Sequence, residues 1–140
     1  MTAYVDSSVV LRIVLGEAGR LREWRRIERA FASELIRLEC LRTIDRARLR
    51  LGLADGAVAA HRAAVFDLLD SFDLVKIDDA VLERAADPFP TTLGSLDAVH
   101  LATALLLRAR VDDLCLATHD TELATAARAV GLEVHGAARR

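Results

Sequence analysis

The chain has 140 residues, of which 53% are hydrophobic and 29% charged, with a formal net charge of −2. This balance excludes a disordered chain and predicts a single globular domain over residues 1–140, long enough to bury one core. Aromatic residues make up only 4% of the chain, which excludes an aromatic platform on which nucleic-acid bases stack. The most apolar predicted helix, over 96–107, is too short to cross a membrane.

The two cysteines, Cys40 and Cys115, lie in predicted apolar elements and share no CxxC spacing. Their arrangement argues against a disulfide framework or a zinc knuckle and fits a reducing compartment. No hydrophobic secretory segment precedes the first predicted strand. We therefore expect a cytoplasmic protein that makes no use of a membrane.

The first half of the chain alternates predicted strands with predicted helices. Strands are predicted over 4–5 and 30–32, and helices over 6–15, 20–30, 33–51 and 55–69. Ser33 and Asp55 are placed as N-caps, while Gly16 and Gly52 mark helix ends. The helix over 20–30 is inferred from apolar residues spaced for one face, namely Leu21, Trp24, Ile27 and Phe31.

The second half continues the alternation. Strands are predicted over 72–77, 114–118 and 132–134, and helices over 78–86, 95–107 and 122–130. Asp78 and Ser95 are placed as caps, and a loop over 87–94 holds both prolines. The alternation predicts an α/β fold, a three-layer α/β/α sandwich with a central parallel sheet.

Asp97 is an unusual residue because it lies in the first turn of the most apolar predicted helix. Burial of its carboxylate is expected, and a buried charge needs a partner or a metal ion. Taken alone, Asp97 is better explained as a residue that complements the positive end of the helix dipole.

Three other carboxylates are predicted to lie near Asp97. Asp6 and Asp120 each follow a predicted strand, and Glu39 lies early in a predicted helix. In a right-handed, doubly wound sheet all four positions face the same edge. Singly, Asp6 and Asp120 could be helix caps and Glu39 a surface acid. Together, however, four like charges are tolerated only with a cation between them.

The type of ligand predicts the type of ion and of reaction. Carboxylate oxygens without Cys or His favour a hard cation, Mg²⁺ or Mn²⁺. Such an ion activates water and neutralises charge on a phosphate, which makes phosphodiester hydrolysis the expected chemistry.

Residues 20–50 contain ten arginines and five acids. One interpretation is a solvated helical face with pairs such as Glu23 with Arg26 and Arg25 with Glu28. The other is a surface that contacts the phosphates of a nucleic acid.

Four motifs carry a resemblance to a known family over essentially the whole chain. They are Tyr4-Val5-Asp6-Ser7-Ser8, Glu39-Cys40-Leu41-Arg42, Leu96-Asp97-Ala98-Val99-His100-Leu101-Ala102-Thr103-Ala104 and Ala117-Thr118-His119-Asp120. The chain resembles PIN domains, and more closely the VapC-type toxin ribonucleases of bacterial toxin–antitoxin pairs. The third motif is the most specific of the four.

The resemblance implies a Mg²⁺- or Mn²⁺-dependent endoribonuclease that cleaves RNA, with Asp6, Glu39, Asp97 and Asp120 as metal ligands. It implies that Ser8 or Ser7, and Thr118, support the site by hydrogen bonds. It also implies a homodimer and an antitoxin that binds near the active site. Leftover apolar surface on 20–51 is consistent with such a partner; the residues concerned are Leu21, Trp24, Ile27, Leu35, Ile36 and Leu38.

Several alternatives stay open from the sequence. His100 is expected to be a packed helix residue, hydrogen-bonded near the site, rather than a metal ligand. A Mg²⁺-dependent phosphatase with Asp6 as nucleophile is a rival function, although Ser8 stands where such an enzyme carries a second Asp. A catalytically silent α/β binding module is another rival.

Overall fold

A parallel sheet of five strands forms the centre of the computed structural model, which describes residues 1–138. The strands are β1 (Thr2–Val5), β2 (Arg29–Ser33), β3 (Asp73–Val75), β4 (Leu114–Ala117) and β5 (Val134–His135). Their order across the sheet is β3-β2-β1-β4-β5, and every neighbouring pair is parallel. The last strand begins two residues later than the sequence predicts.

Helices cover both faces of the sheet. They are α1 (Ser7–Val14), α2 (Leu35–Leu51), α3 (Asp55–Leu69), α4 (Asp79–Ala86), α5 (Ser95–Arg108) and α6 (Thr121–Ala129). Apolar side chains of α1, α2 and α3 pack into one core, and those of α5 and α6 pack into a second core on the opposite face. The predicted three-layer α/β/α fold is therefore confirmed.

The sequences of the central strands are continuous apolar runs because helices cover both faces of these strands. Ala3, Tyr4 and Val5 are all fully buried. Their side chains alternate, so that Ala3 and Val5 join the core beneath α1 and α2, while Tyr4 joins the core beneath α5. Tyr4 is thus the polar side chain of β1 that points towards α5.

The chain reverses its winding direction between β1 and β4, which lie side by side at the middle of the sheet. Beyond the last residue of β1, the backbone N–H of Asp6 still donates to the carbonyl of Ala117 at 3.0 Å. Connections leave in opposite directions from these two strand ends, which opens a crevice at the carboxyl edge of the sheet.

The predicted helix over 20–30 is wrong. Only a short 3₁₀ helix, Trp24–Arg26, forms there, and β2 already begins at Arg29. Parallel pairing of Arg29 with Thr2 and of Ala30 with Ala3 takes 29–30 into the sheet, so the predicted helix cannot extend to residue 30. Leu21 is buried, so apolar spacing that resembles a helix face reflects a loop packed on the core.

Two predicted caps are also wrong. Gly94 rather than Ser95 occupies the cap position of α5, and Ala54 rather than Asp55 that of α3. Ser95 and Asp55 are instead the first helical residues. The Asp78 cap is correct, because its carboxylate accepts from Val81 N at 3.0 Å.

The Ser33 cap is one residue off as well, because Glu34 occupies the cap position of α2. Ser33 ends β2, and its hydroxyl accepts from Leu35 N at 3.2 Å at the start of α2. Cys40 and Cys115 are free, buried thiols. Burial raises the pKa of Cys40 to about 12 and that of Cys115 to about 11, so neither thiol is reactive. Among residues 1–138, no helix is both long and apolar enough to span a membrane.

Gly136 is a close-contact glycine beside the carboxyl end of β4. Its φ is +100°, and an added Cβ would lie 2.5 Å from the carbonyl oxygen of Thr118. Gly131 is a matched control, since its φ is +79° but its Cβ would meet only a guanidinium nitrogen of Arg108 at 3.9 Å. We expect Gly136→Ala to lose at least about 1 kcal/mol more stability than Gly131→Ala in urea unfolding. Equal losses would show that the backbone shifts freely around Thr118.

Candidate active site

Asp6 is a buried carboxylate at the carboxyl end of β1, with 4% of its surface exposed. Its Oδ2 accepts three hydrogen bonds, from Ser8 N at 3.3 Å, Ser8 Oγ at 2.5 Å and Thr118 Oγ1 at 2.9 Å. Among residues 1–138, its Oδ1 accepts only from Ser7 Oγ, at 3.5 Å. One oxygen is therefore fixed by the fold, and the other is left with a weak partner.

Hydroxyl groups join the ends of β1 and β4. Ser8 Oγ, which donates to Asp6, accepts from His119 N at 2.9 Å. Thr118 Oγ1, which also donates to Asp6, accepts from Asp120 N at 3.0 Å. Each hydroxyl thus uses both its donor and an acceptor site, and together they hold the Asp6 carboxylate and the backbone of 119–120 in one arrangement.

Asp120 caps α6, because its Oδ1 accepts from Leu123 N at 2.9 Å. Asp6 caps α1 in the same way, through Ser8 N. The cap interpretation of these two residues is thus correct, but it accounts for one oxygen of each carboxylate. Within residues 1–138, Oδ2 of Asp120 makes no hydrogen bond.

Asp97 lies half-buried in the first turn of α5. Burial, followed by the negative charges of Asp120 and Asp6, raises the pKa of Asp97 from 3.8 to about 6, and the nearby His100 opposes that shift. A shift from neighbouring carboxylates requires that they be close in space. Asp97 therefore lies near enough to Asp6 and Asp120 to feel their charges.

Glu39 reaches this region from α2, with 18% of its side chain exposed. Its Oε1 lies 2.5 Å from Nε2 of His100, a fully buried residue of α5. Nδ1 of His100 lies 2.7 Å from the Tyr4 hydroxyl, which accepts from Ser33 N at 3.1 Å. His100 is therefore a packed, hydrogen-bonded helix residue, as expected.

The ionisation of His100 reflects two opposing effects. Burial lowers the pKa of His100, but the hydrogen bond and charge of Glu39, with the charges of Asp6 and Asp97, outweigh burial and raise it overall. Burial also raises the pKa of Tyr4 well above its usual value, so Tyr4 stays a neutral hydroxyl that can both donate and accept.

The donor chemistry of the four acids fits a hard cation, since all the available atoms are carboxylate oxygens. The positions of these side chains, by contrast, do not amount to a metal-binding group. Within residues 1–138, no three His, Cys, Asp or Glu side chains are placed as a group that could hold a metal ion. The metal-ligand roles of Asp6, Glu39, Asp97 and Asp120 accordingly stay a prediction.

Some features of the site have no local signal in the sequence. Tyr4 is one, because its partners Ser33 and His100 lie 29 and 96 residues away along the chain. Leu96 is another, with 53% of its surface exposed, while Leu38, which the sequence does indicate as surplus apolar surface, is 57% exposed. These two leucines immediately precede Glu39 and Asp97 and expose apolar surface next to the acids.

The arginines of 20–50 do not form a single patch. Arg25 and Arg26 lie just before β2, at the amino edge of the sheet, opposite the strand ends that carry the acids. The pairs expected with Glu23 and Glu28 do not form in the described part of the chain. Other arginines are already paired: Arg29 with Asp73, and Arg42 and Arg48 with Asp45.

The exposed apolar surface on 20–51 lies partly at other residues than the sequence indicates, since Leu49 and Leu51 of α2 are 69% and 62% exposed. Leu21 and Ile36 are buried in the core, and Trp24 and Ile27 pack against it. Leu38 remains largely exposed.

A model of the PIN domain matches residues 3–129. Ribonuclease VapC46 of Mycobacterium tuberculosis (strain ATCC 25618 / H37Rv) is 33% identical over 134 residues, covering 94% of each chain. Ribonuclease VapC47 of Mycobacterium tuberculosis (strain CDC 1551 / Oshkosh) is 30% identical over 135 residues, covering 91% of each.

Solved structures share the fold at low sequence identity. VapBC2 from Rickettsia felis, bound to a DNA fragment from their promoter, has a TM-score of 0.65 at 7% identity, covering 96% of this chain and 97% of that one. A toxin–antitoxin complex from Klebsiella pneumoniae has a TM-score of 0.59 at 20% identity, covering 86% and 88%. The family match contains all four predicted acids, and we conclude that this chain belongs to the PIN domain family.

Proposed function

We propose that this chain is a metal-dependent endoribonuclease that hydrolyses RNA phosphodiesters and is the toxin of a toxin–antitoxin pair. The observation that carries the proposal is that Thr118 joins Asp6 to Asp120 N at the carboxyl edge of the sheet, where the charges of both acids raise the pKa of Asp97. The names of the relatives, ribonucleases VapC46 and VapC47, support the same activity.

The proposed cation is Mg²⁺ or Mn²⁺, held by Asp6, Glu39, Asp97 and Asp120. Clustered carboxylates repel one another, and a divalent ion removes that repulsion. When bound, the ion would supply an activated water and neutralise charge that develops on the phosphate. Oδ1 of Asp6 and Oδ2 of Asp120 are free of strong hydrogen bonds in the described chain and are the oxygens proposed to bind it.

The protein itself contributes orientation. Ser8 and Thr118 donate to the same oxygen of Asp6, so the carboxylate is held without help from solvent. Thr118 and Ser8 also fix the backbone of 119–120. A site positioned by packed secondary structure in this way needs little reorganisation when substrate arrives.

An antitoxin is the proposed protein partner. Exposed Leu38 and Leu96 flank the acids and offer apolar contacts to a segment laid across the site. An arginine of such a segment would pair with the carboxylates and compete with the cation. A homodimer is proposed on the family relationship, as is a cytoplasmic location.

Cleavage of RNA tests the proposal directly. We expect the purified chain to cleave single-stranded RNA with Mn²⁺ or Mg²⁺ and to stop when EDTA is added. Asp97→Asn should lower the cleavage rate by more than about 100-fold, since it removes a proposed metal ligand. Asp79→Asn is the matched control, because Asp79 lies in the first turn of α4 but is exposed to solvent. Gel analysis of a labelled RNA gives the rates.

Three results would contradict this proposal. Equal rates for Asp97→Asn and the parent would exclude the assigned site. Turnover of small phosphate esters in preference to RNA would favour a phosphatase with Asp6 as nucleophile. A rise in melting temperature with Mg²⁺, without cleavage at any metal concentration, would favour a binding module.

The raised pKa of Asp97 predicts a pH dependence of stability in the metal-free chain. Ionisation of Asp97 is less favourable in the folded state, so the stability present below 3.8 is lost as the pH rises through about 6. Asp97→Asn cannot ionise. We therefore expect its urea midpoint to exceed that of the parent above the folded pKa, and the difference to shrink as the pH falls towards 3.8.

Unfolding in urea with a chelator present, at several pH values, checks this prediction. Asp79→Asn should show no such pH-dependent gain. A lower midpoint for Asp97→Asn above the folded pKa would mean that the favourable contact of Asp97 with the helix dipole outweighs the repulsion.

A further inference from the structure

We infer that Tyr4 and His100 are positioning residues that orient the Glu39 carboxylate for a divalent cation, acting through one continuous chain of hydrogen bonds. The chain runs from Ser33 N to the Tyr4 hydroxyl, then to Nδ1 of His100, and from Nε2 of His100 to Oε1 of Glu39. This inference rests on the proposed function, because it assumes that the acids bind a cation.

The hydrogen-bond chain delivers an N–H to Glu39 in both states of the His100 ring. Ser33 N–H donates to the Tyr4 oxygen, and in the neutral ring the Tyr4 O–H donates to Nδ1 of His100 while Nε2 carries the hydrogen. In the charged ring both nitrogens donate, Nδ1 to the Tyr4 oxygen. In each state Nε2 donates to Oε1 of Glu39, and Tyr4 holds the ring from its other side.

The network has a direct effect on Glu39. Glu39 is a long side chain, only partly buried, on a helix that carries exposed Leu38 on one side of it and buried Cys40 on the other. A free glutamate in this place would sample several rotamers. The bond to His100 occupies Oε1, and within residues 1–138 Oε2 makes no hydrogen bond. Oε2 is thus the oxygen left for a cation.

The arrangement is rigid because its inner members are fully buried. Tyr4 and His100 have no exposed surface, and their rings meet edge to face with centroids 6.0 Å apart and an interplanar angle of 69°. The network also joins β1, β2, α5 and α2. The position of Glu39 is therefore tied to the central sheet, as is that of Asp6.

A purely structural interpretation competes with this one. A buried histidine needs hydrogen-bond partners wherever it lies, and Glu39 could simply satisfy it. The two interpretations differ in one respect. A structural role predicts that loss of the Tyr4 hydroxyl affects folding stability alone, whereas a positioning role predicts a loss of metal affinity that depends on Glu39.

Tyr4→Phe is the sharpest variant, since it removes one buried oxygen and touches neither Glu39 nor the substrate. We expect it to weaken Mn²⁺ binding by about tenfold, within the usual range for residues that orient metal ligands. Free Mn²⁺, measured by electron paramagnetic resonance in titrations of the metal-free chain, gives the affinity. His100→Gln, which can still donate to Glu39, should restore part of the affinity that His100→Ala loses.

Cys40→Ala is the matched control, because Cys40 is buried on α2 next to Glu39 but stands outside the hydrogen-bond chain. It should lower the urea midpoint without weakening Mn²⁺ binding. Each variant is also made in a Glu39→Gln background. There, Tyr4→Phe should have no further effect on Mn²⁺ affinity, which is the coupling expected when Tyr4 acts through Glu39.

The outcomes separate the two proposals. If the parent binds Mn²⁺ and cleaves RNA, but Tyr4→Phe binds Mn²⁺ as tightly or loses the same affinity in both backgrounds, the positioning role is overturned and the function stands. If the parent neither binds Mn²⁺ nor cleaves RNA, the proposed function fails, and the positioning role fails with it.

Discussion

The carboxylates at the carboxyl edge of the sheet obey one constraint: a negative charge drawn into a protein must be held by hydrogen bonds. Three of the four acids meet that constraint with a single oxygen. Oδ2 of Asp6 accepts from Ser8 and Thr118, Oδ1 of Asp120 accepts from Leu123 N, and Oε1 of Glu39 is paired with His100. Each acid is thereby fixed, while its second oxygen remains available.

Asp97 differs because repulsion from Asp120 and Asp6 adds to its burial, and its pKa rises to about 6. Such clustering destabilises the fold, so it is retained where a function requires it. Carboxylates with a shifted pKa are typical of active sites. The helix caps and the site therefore share the same residues. Asp6 and Asp120 begin α1 and α6, and the positions that start these helices are also the positions that bring the acids together.

Predictions from local pattern failed where tertiary pairing competed with it. Leu21, Trp24 and Ile27 have helical spacing, yet pairing with β1 takes 29–30 into the sheet, and only a 3₁₀ turn forms before β2. The same error made the arginines of 20–50 look like one surface, although Arg25 and Arg26 lie at the edge of the sheet opposite the acids. A linear charge count has no information about which edge a residue occupies.

The sequence by itself determined the α/β alternation, the parallel sheet and the family, because strand length, helix length and residue type are local properties. The metal-binding role of the four acids stays a prediction from the sequence. Only the tertiary structure decided which oxygen of Asp6, of Asp120 and of Glu39 is hydrogen-bonded. It also made His100 the partner of Glu39 and Tyr4 the partner of His100. These contacts join residues 61 and 96 positions apart. No periodicity or spacing encodes such a distance, since it arises from the packing of α2 and α5 around the ends of β1 and β2.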